Sequence, residues 1–431
     1  MEIEVICTGD EVLTGKIVNS NFSHITQKLE DSGLSVRRGI TVGDDREELL
    51  RAFQEAGRRS DVVIVNGGLG PTVDDLSQEI AAKAAGVELE LQEEWLARME
   101  GFFRRRGRDM PMNNRKQAML PAGAEVIDNP IGTACGFGLR IGKGMFYFTP
   151  GVPRELFKML EEQLLPRMLE MSGRKTVIRL RRFHSFGLGE SHVDQLLQGI
   201  EELVPDGSLK LGFRAHYPQL ETKLTVRAQT EEEARAKLAP VEAELYRRIG
   251  NFILCEDDQT LEGVILAMLE KSRFSLALAE DYTGGQVAAR LAASPGAENI
   301  LYRATVAMTP EAKVGAFGLE GPWPGDGGET PPEVAETLAA EVSRSAGASH
   351  GLVVLCHVEP DAVQGGENLH GSITVALAWE GGTAYRRSRL VGTRDWVRLG
   401  AVELALDSLR RHLQGLPIKE RIDFEKTRPG R

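Results

Sequence analysis

The stretch Asp61-Val62-Val63-Ile64-Val65-Asn66-Gly67-Gly68-Leu69-Gly70-Pro71-Thr72-Val73-Asp74-Asp75 decides the fold of this chain. Asp61–Val65, apolar and β-branched after its first residue, predicts a strand buried on both faces of a parallel sheet. Three glycines follow at once, which allows positive φ and close approach of backbone to a ligand. Asp74 and Asp75 then precede a helical pattern beginning at Leu76. A Gly-rich turn between a strand's carboxyl end and a helix's amino end is where open α/β sheets bind phosphates. The paired aspartates add hard oxygen ligands suited to a divalent cation. Read alone, the loop is equally a turn with an acidic helix cap.

The residues before it repeat the rhythm. Glu2–Cys7 reads as a strand, Thr8–Gly15 as a polar turn, and a helix carrying Ile25 and Leu29 follows Asn19 and Asn21. Leu34–Val36 with Gly39–Val42 reads as the second strand, and Asp44-Asp45 caps a helix through Leu49 and Phe53. This βαβαβ order predicts a parallel sheet with right-handed crossovers. Its strand ends carry Asp10-Glu11, Asp44-Asp45 and Asp74-Asp75. Each pair singly suits a helix cap. Three at successive strand ends, beside glycines, favour a shared site along one sheet edge.

Composition bounds the class. Hydrophobic residues make up 42% and charged residues 27%, as in ordinary globular proteins. A net charge of -11 argues against general nucleic-acid binding. Cys7, Cys135, Cys255 and Cys356 are scattered, so reduced thiols in a cytoplasmic protein are expected. Neither a signal peptide nor a membrane span is expected.

Beyond about residue 175 the pattern changes. Val177–Phe183 and Leu220–Arg227 alternate apolar with polar, which predicts half-exposed antiparallel strands. Helical patterns at Glu190–Leu203 and Glu231–Ile249 complete a small α+β module without an evident basic GXXG loop. Further on, Phe274–Glu280 reads as a strand leading to Thr283-Gly284-Gly285. Cys356-His357 is not a promising thiol pair, because adjacent strand residues face opposite ways. The segment from Gly321 to Gly328, with Pro331-Pro332, reads as a mobile turn-rich loop, and the tail from Pro417 as poorly ordered.

Thr8-Gly9-Asp10-Glu11-Val12-Leu13 with Gly15 and Asn21, and Asn66–Thr72 with Asp74-Asp75, resemble the molybdopterin-binding-like domain of the CinA family, itself related to the MoaB and MogA proteins. Asn114–Ala118, Asn129–Gly136 and Phe148–Glu155 extend the likeness over roughly residues 1–170. Ser185–Ser191 and His216-Tyr217-Pro218 resemble the family's KH-like middle domain, and 258–415 its C-terminal domain. The implied organisation is a doubly wound, mostly parallel α/β domain (1–170), an α+β KH-like domain (171–257), a CinA-type α/β domain (258–415) and a tail (416–431).

For the first domain the resemblance implies a divalent-metal-dependent, non-Nudix pyrophosphatase that splits ADP-ribose into AMP and ribose 5-phosphate. Mg, Mn or Co is the implied metal, with a monovalent cation as a further expectation. Asp10, Glu11, Asp44, Asp74 and Asp75 are then the candidate catalytic residues, with Asp44, Asp74 and Asp75 as metal ligands or water-activating bases. Thr8, Gly9, Asn21, Gly67, Gly68, Gly70 and Thr72 are candidate substrate contacts, together with Asn114, Arg115, Gly132, Thr133 and Gly151. Asn114 and Arg115 suit phosphate or base recognition, or equally an exposed helix face.

In active relatives the C-terminal domain is a nicotinamide mononucleotide deamidase. Where that family has a serine and a cysteine before Thr-Gly-Gly, this chain has Asp281 and Tyr282, and the family's tyrosine falls at Met308. Asp281, Thr283, Gly284 and Lys313 therefore read as a degenerate site with deamidase activity lost. Other expectations are a molybdopterin-binding role, a non-catalytic nucleotide sensor, or an interaction role in DNA uptake. A homodimer is expected, with no direct nucleic-acid contact.

Overall fold

The computed structural model describes residues 1–173, 177–317, 323, 329–360 and 368–424. The chain divides into two compact units, Met1–Arg179 and Leu180–Arg431.

The first unit runs β1 (Ile3–Thr8), α1 (Asp10–Leu13), α2 (Ser20–Asp31), β2 (Val36–Val42), α3 (Arg46–Arg59), β3 (Val62–Asn66), α4 (Ser77–Ala85), β4 (Leu89–Leu91) and α5 (Glu93–Arg104). After a 3₁₀ segment at Met112–Ala118 come β5 (Met119–Pro121), β6 (Glu125–Ile127), β7 (Gly136–Ile141), β8 (Gly144–Thr149), α6 (Pro153–Met159) and α7 (Leu165–Ser172). The main sheet has the order β2-β1-β3-β8-β7-β6. Strands β2, β1, β3 and β8 are parallel, and β7 and β6 continue antiparallel.

Every residue of β3 is buried, because its side chains feed two cores alternately. Val63 and Val65 pack with Phe53, Phe146 and Phe148 on one face, while Val62 and Ile64 pack with Ile25, Leu29 and Leu160 on the other. This is the two-sided burial that a continuous β-branched run requires. At the opposite edge from the loops, Arg59 holds the buried Glu4 carboxylate with two hydrogen bonds of 2.9 and 2.6 Å.

Two expectations are corrected here. The turn at Thr8–Gly15 contains a helical turn, and the second strand is continuous from Val36 to Val42.

The second unit begins within β9 (Val177–Phe186) and continues α8 (Glu190–Leu196), β10 (Leu209–His216), β11 (Gln219–Ala228), α9 (Glu231–Ile249) and β12 (Ile253–Glu256). It then runs α10 (Leu261–Ser272), β13 (Leu276–Glu280), α11 (Gln286–Ala292), β14 (Leu301–Val306), α12 (Pro310–Ala316) and α13 (Pro332–Ala346). The last elements are β15 (His350–Pro360), β16 (Leu369–Trp379), β17 (Gly382–Gly392) and α14 (Arg394–Leu413). One sheet has the order β10-β11-β9-β12 and the other β14-β13-β15-β16-β17. In the second sheet β14, β13 and β15 are parallel, and β16 and β17 antiparallel. β13 again feeds two cores, Leu276 and Leu278 to one and Ala277 and Ala279 to the other.

The helix expected over Glu190–Leu203 is broken, because Gly199 takes a left-handed φ of 78° between α8 and a 3₁₀ turn. Pro331-Pro332 opens α13, where a proline fits the first turn, in place of the expected loop. The rest of that expected loop, Trp323 apart, lies outside the described residues. The tail expected to be poorly ordered packs on the fold as far as Phe424. Ile422 is buried, and the Asp423 carboxylate accepts the Gly189 N–H at 2.8 Å. Among the described residues no helix is long and apolar enough to cross a membrane.

Candidate functional site

The carboxyl ends of β1 and β3 open onto a cavity of about 640 Å³. Thr8, Gly9, Glu11, Asn21, Asp44, Gly67, Gly68, Gly70, Thr72, Asp74, Asp75, Thr133 and Gly151 all line it, as the motifs suggested. Gly67 has φ 113°, and a Cβ there would sit 2.6 Å from the Thr8 hydroxyl oxygen, so the loop needs glycine. The floor is an amide network that the motifs did not single out. Asn21 donates to the Asn66 side-chain oxygen at 2.9 Å and to the Gly151 carbonyl at 2.7 Å. Asn66 in turn donates to the Pro150 carbonyl at 2.7 Å. Thr8 Oγ1 and Asn21 Oδ1 are buried without a partner among the described residues, which suits a polar ligand.

Four expected residues do not line the cavity. Asp10 turns to Asp44: each carboxylate accepts the other's backbone N–H at 3.1 Å. Asn114 is buried and donates to Gln117, and it is Gln117 that reaches the cavity. Arg115 is exposed on the 3₁₀ segment. Gly132 gives its N–H to Asn129 Oδ1 at 3.0 Å and lies on a separate small cleft beside Trp95 and Arg98. Gln117 and Glu155, which also line the cavity, were missed. They lay inside the 114–118 and 148–155 segments, so both were within reach of the motif reading.

The acidic residues are not disposed as a metal set. Asp75 closes its own turn, accepting from Thr72 N–H at 2.8 Å and from the Thr72 hydroxyl at 2.6 Å. That hydroxyl is therefore not free for a phosphate. Burial raises the Asp44 pKa, and the charges of Asp10, Glu11 and Asp74 add to the rise against an opposing N–H from Asp10. Among the described residues no group of three or more His, Cys, Asp and Glu gathers to hold a metal ion. The expected Asp44–Asp74–Asp75 ligand set thus does not fit a divalent ion as these residues stand, and no step is derived through one.

The second centre lies at the end of β13. Glu280 is buried and caps the next helix from within, accepting from the Thr283 hydroxyl at 2.7 Å and from the N–H groups of Val287 and Ala288 at 3.1 and 2.9 Å. Thr283 is thereby a structural residue, its hydroxyl turned inward. Asp281 faces the other way. Its Oδ2 accepts from Lys313 Nζ at 2.7 Å, and both side chains are buried. The Cys356 N–H of β15 also donates to Asp281, at 2.9 Å to Oδ1. Burial raises the Asp281 pKa, while Lys313 and the two backbone donors oppose the rise. Lys313 Nζ also lies 4.9 Å from the Trp323 ring centroid. The Cys356 thiol is pushed well above its ordinary pKa by burial and the nearby Asp281 charge, so it is no thiolate nucleophile. A buried carboxylate joined to an ammonium can exchange a proton and stabilise a developing oxyanion. Far from being dismantled, Asp281 and Lys313 are brought together by two strands and a helix.

Three families match successive parts of the chain. "Probable molybdopterin binding domain" matches residues 4–170, "Damage-inducible protein CinA KH domain" 180–254, and "CinA C-terminal domain" 258–413. A CinA-like protein of Shewanella amazonensis is 37% identical over 418 residues, 96% of each chain. The chain therefore belongs to the CinA family. A relative in Shewanella oneidensis, the nicotinamide-nucleotide amidohydrolase PncC, is 35% identical over 414 residues, again 96% of each chain. A solved structure of the protein CinA from Thermoplasma acidophilum is 38% identical, covers 37% of this chain and 94% of that one, and has a TM-score of 0.35.

These findings correct two expectations. The amidohydrolase relative spans almost the whole chain, which overturns both the ADP-ribose pyrophosphatase assignment and the expectation that amide hydrolysis is lost. The residue changes at positions 281 and 282 stand. Their weight was misjudged, because sequence alone did not show Asp281 locked to Lys313.

Proposed function

We propose that this chain hydrolyses the amide of a nicotinamide nucleotide at the Asp281–Lys313 centre. The observation that carries the reading is the buried 2.7 Å contact between these two groups at the end of β13. The relative named nicotinamide-nucleotide amidohydrolase supports the choice of substrate.

No side-chain hydroxyl stands at 281, and Thr283 is committed to Glu280. Water therefore makes the new C–O bond. Asp281 takes a proton from the attacking water while Lys313 holds the oxyanion of the tetrahedral intermediate. The proton then passes to the departing nitrogen, the C–N bond breaks, and the products are the carboxylic acid and ammonia.

Incubating the full chain with nicotinamide mononucleotide and measuring ammonia tests this. Lys313→Ala and Asp281→Asn should each lower turnover by about 10²-fold or more. Asp74→Asn, in the other unit, should leave it unchanged. Wild-type protein that releases no more ammonia than Asp281→Asn would refute the reading.

A further inference from the structure

A chain of buried polar contacts leads from the KH-like part of the second unit to the turn that carries Asp281. Helix α11 is held at both ends by carboxylates. At its start Glu280 accepts the N–H groups of Val287 and Ala288. In its second turn Arg290 donates from Nη1 to Glu403 of α14 at 2.7 Å and from Nε to Glu262 of α10. Glu403 has no exposed surface, and Glu262 is buried too. The other Glu403 oxygen accepts from Gln219 Nε2 at 2.6 Å. Gln219 opens β11, so it comes from the KH-like segment 180–254 and not from the C-terminal segment that begins at 258.

The hairpin that carries Gln219 is itself anchored. At its tip the Tyr217 ring stacks on Trp396 with centroids 3.3 Å apart, and the Tyr217 hydroxyl donates to the Trp396 carbonyl at 3.1 Å. Gly400 leaves a notch for the tip, since a Cβ there would lie 2.4 Å from the Tyr217 hydroxyl oxygen.

Stability alone does not account for this arrangement. Two buried carboxylates share one guanidinium, a set that costs more desolvation than a single pair and that apolar packing could replace. What the chain of contacts fixes is orientation. Gln219 sets Glu403, Glu403 sets Arg290, and Arg290 sets one end of the helix whose other end Glu280 grips. Asp281 is the next residue after Glu280, so the same grip sets its approach to Lys313.

We propose that Gln219 is a positioning residue, through which the KH-like hairpin holds α11 at the setting where Asp281 meets Lys313. The KH-like part is then a working component of the centre and not a spacer. The consequence for catalysis rests on the amidohydrolase reading, whereas the coupling to α11 does not.

Gln219→Met keeps the length of the side chain and removes its donor. With nicotinamide mononucleotide as substrate of the full chain, kcat should fall about 10-fold while KM stays within about twofold, because only the alignment of the reacting groups is disturbed. Arg290→Lys keeps the charge but cannot fork between two carboxylates, so it should give the same split and serves if Gln219→Met does not fold. Hydrogen exchange followed by mass spectrometry reads the coupling without substrate. Amides in 284–292 should exchange about 10-fold faster in Gln219→Met, the scale of one lost hydrogen bond to a charged group, while those of α13 should be unchanged. If the wild type releases no ammonia but exchange in 284–292 is accelerated in the variant, the hydrolysis reading fails and the positioning role stands. An unchanged kcat, exchange in 284–292 equal to that of the wild type, or acceleration shared equally by α13 overturns the proposal.

Discussion

Asp407 shows how a single carboxylate can organise a region. It lies on α14 with no exposed surface, and its two oxygens accept from three arginines. Arg410 approaches at 3.0 and 2.6 Å, Arg386 at 2.9 Å and Arg411 at 2.8 Å. Burial acts to raise the Asp407 pKa, and the three guanidinium charges together outweigh it and hold the pKa below the usual range. Asp407→Ala leaves three buried cations without their shared partner and should destabilise the unit by about 3–5 kcal/mol, read as a shift in the urea midpoint. The sign of the acid response follows from the lowered pKa. The Asp407 contribution is fully present above the unfolded carboxylate value of ~3.9 and is lost as pH falls through the folded value. Such residues were invisible to motif reading. Arg410 and Arg411 look like a basic helix end in the sequence, and only the fold buries them. The same holds for Glu280, a strand-end carboxylate whose task of capping α11 depends on how the chain turns at Asp281.

At the scale of elements, the two buried sheets were legible because short continuous apolar runs, β-branched at Val62–Val65 and Leu/Ala-rich at Leu276–Ala279, have few other places to go. Their ends were less so. The tail was misread because its mixed charge masks the Ile422 anchor, and Glu420 reaches Arg411 only after α14 has formed. The start of β15 and the end of α14 meet through His350 and His412, whose Nε2 atoms lie 3.3 Å apart. Burial, with the neighbouring His412, pushes the His350 pKa down to about 4. A histidine with a lowered pKa contributes stability that is fully present above the unfolded value of ~6.5 and is lost as pH falls toward the folded one. Unfolding monitored between pH ~6.5 and ~4 should therefore show stability falling with acid, and His350→Asn should flatten that slope. An equal slope in the variant would place the titration elsewhere.

For the whole molecule, the two units carry separate core clusters, which allows their stabilities to be perturbed one at a time. Gly67→Ala forces a Cβ to 2.6 Å from Thr8 Oγ1 at a φ that side chains rarely adopt, so it should cost the first unit more than ~1 kcal/mol. Scanning calorimetry of the full chain should show this substitution lowering one transition and Asp407→Ala the other. A common shift in both would show that the units melt as one. The net charge of -11 weighs against nucleic-acid binding, although the exposed run Arg104-Arg105-Arg106 with Arg108 is a basic patch that the composition concealed.

The sequence by itself determined the strand-turn-helix frames, the glycines that the 66–70 loop requires and the family to which the chain belongs. Those follow from local chemistry: β-branched runs, positive-φ turns and residue types at fixed spacing. Which acidic residues are placed for the proposed chemistry was decided only by the tertiary structure. It turns Asp75 back onto Thr72 and Asp10 onto Asp44, and it carries Lys313 from a separate helix to Asp281. The carboxylates of the Gly-rich loop and the carboxylate at 281 look alike in one dimension. Burial and the partner each one meets, both products of long-range packing, set them apart.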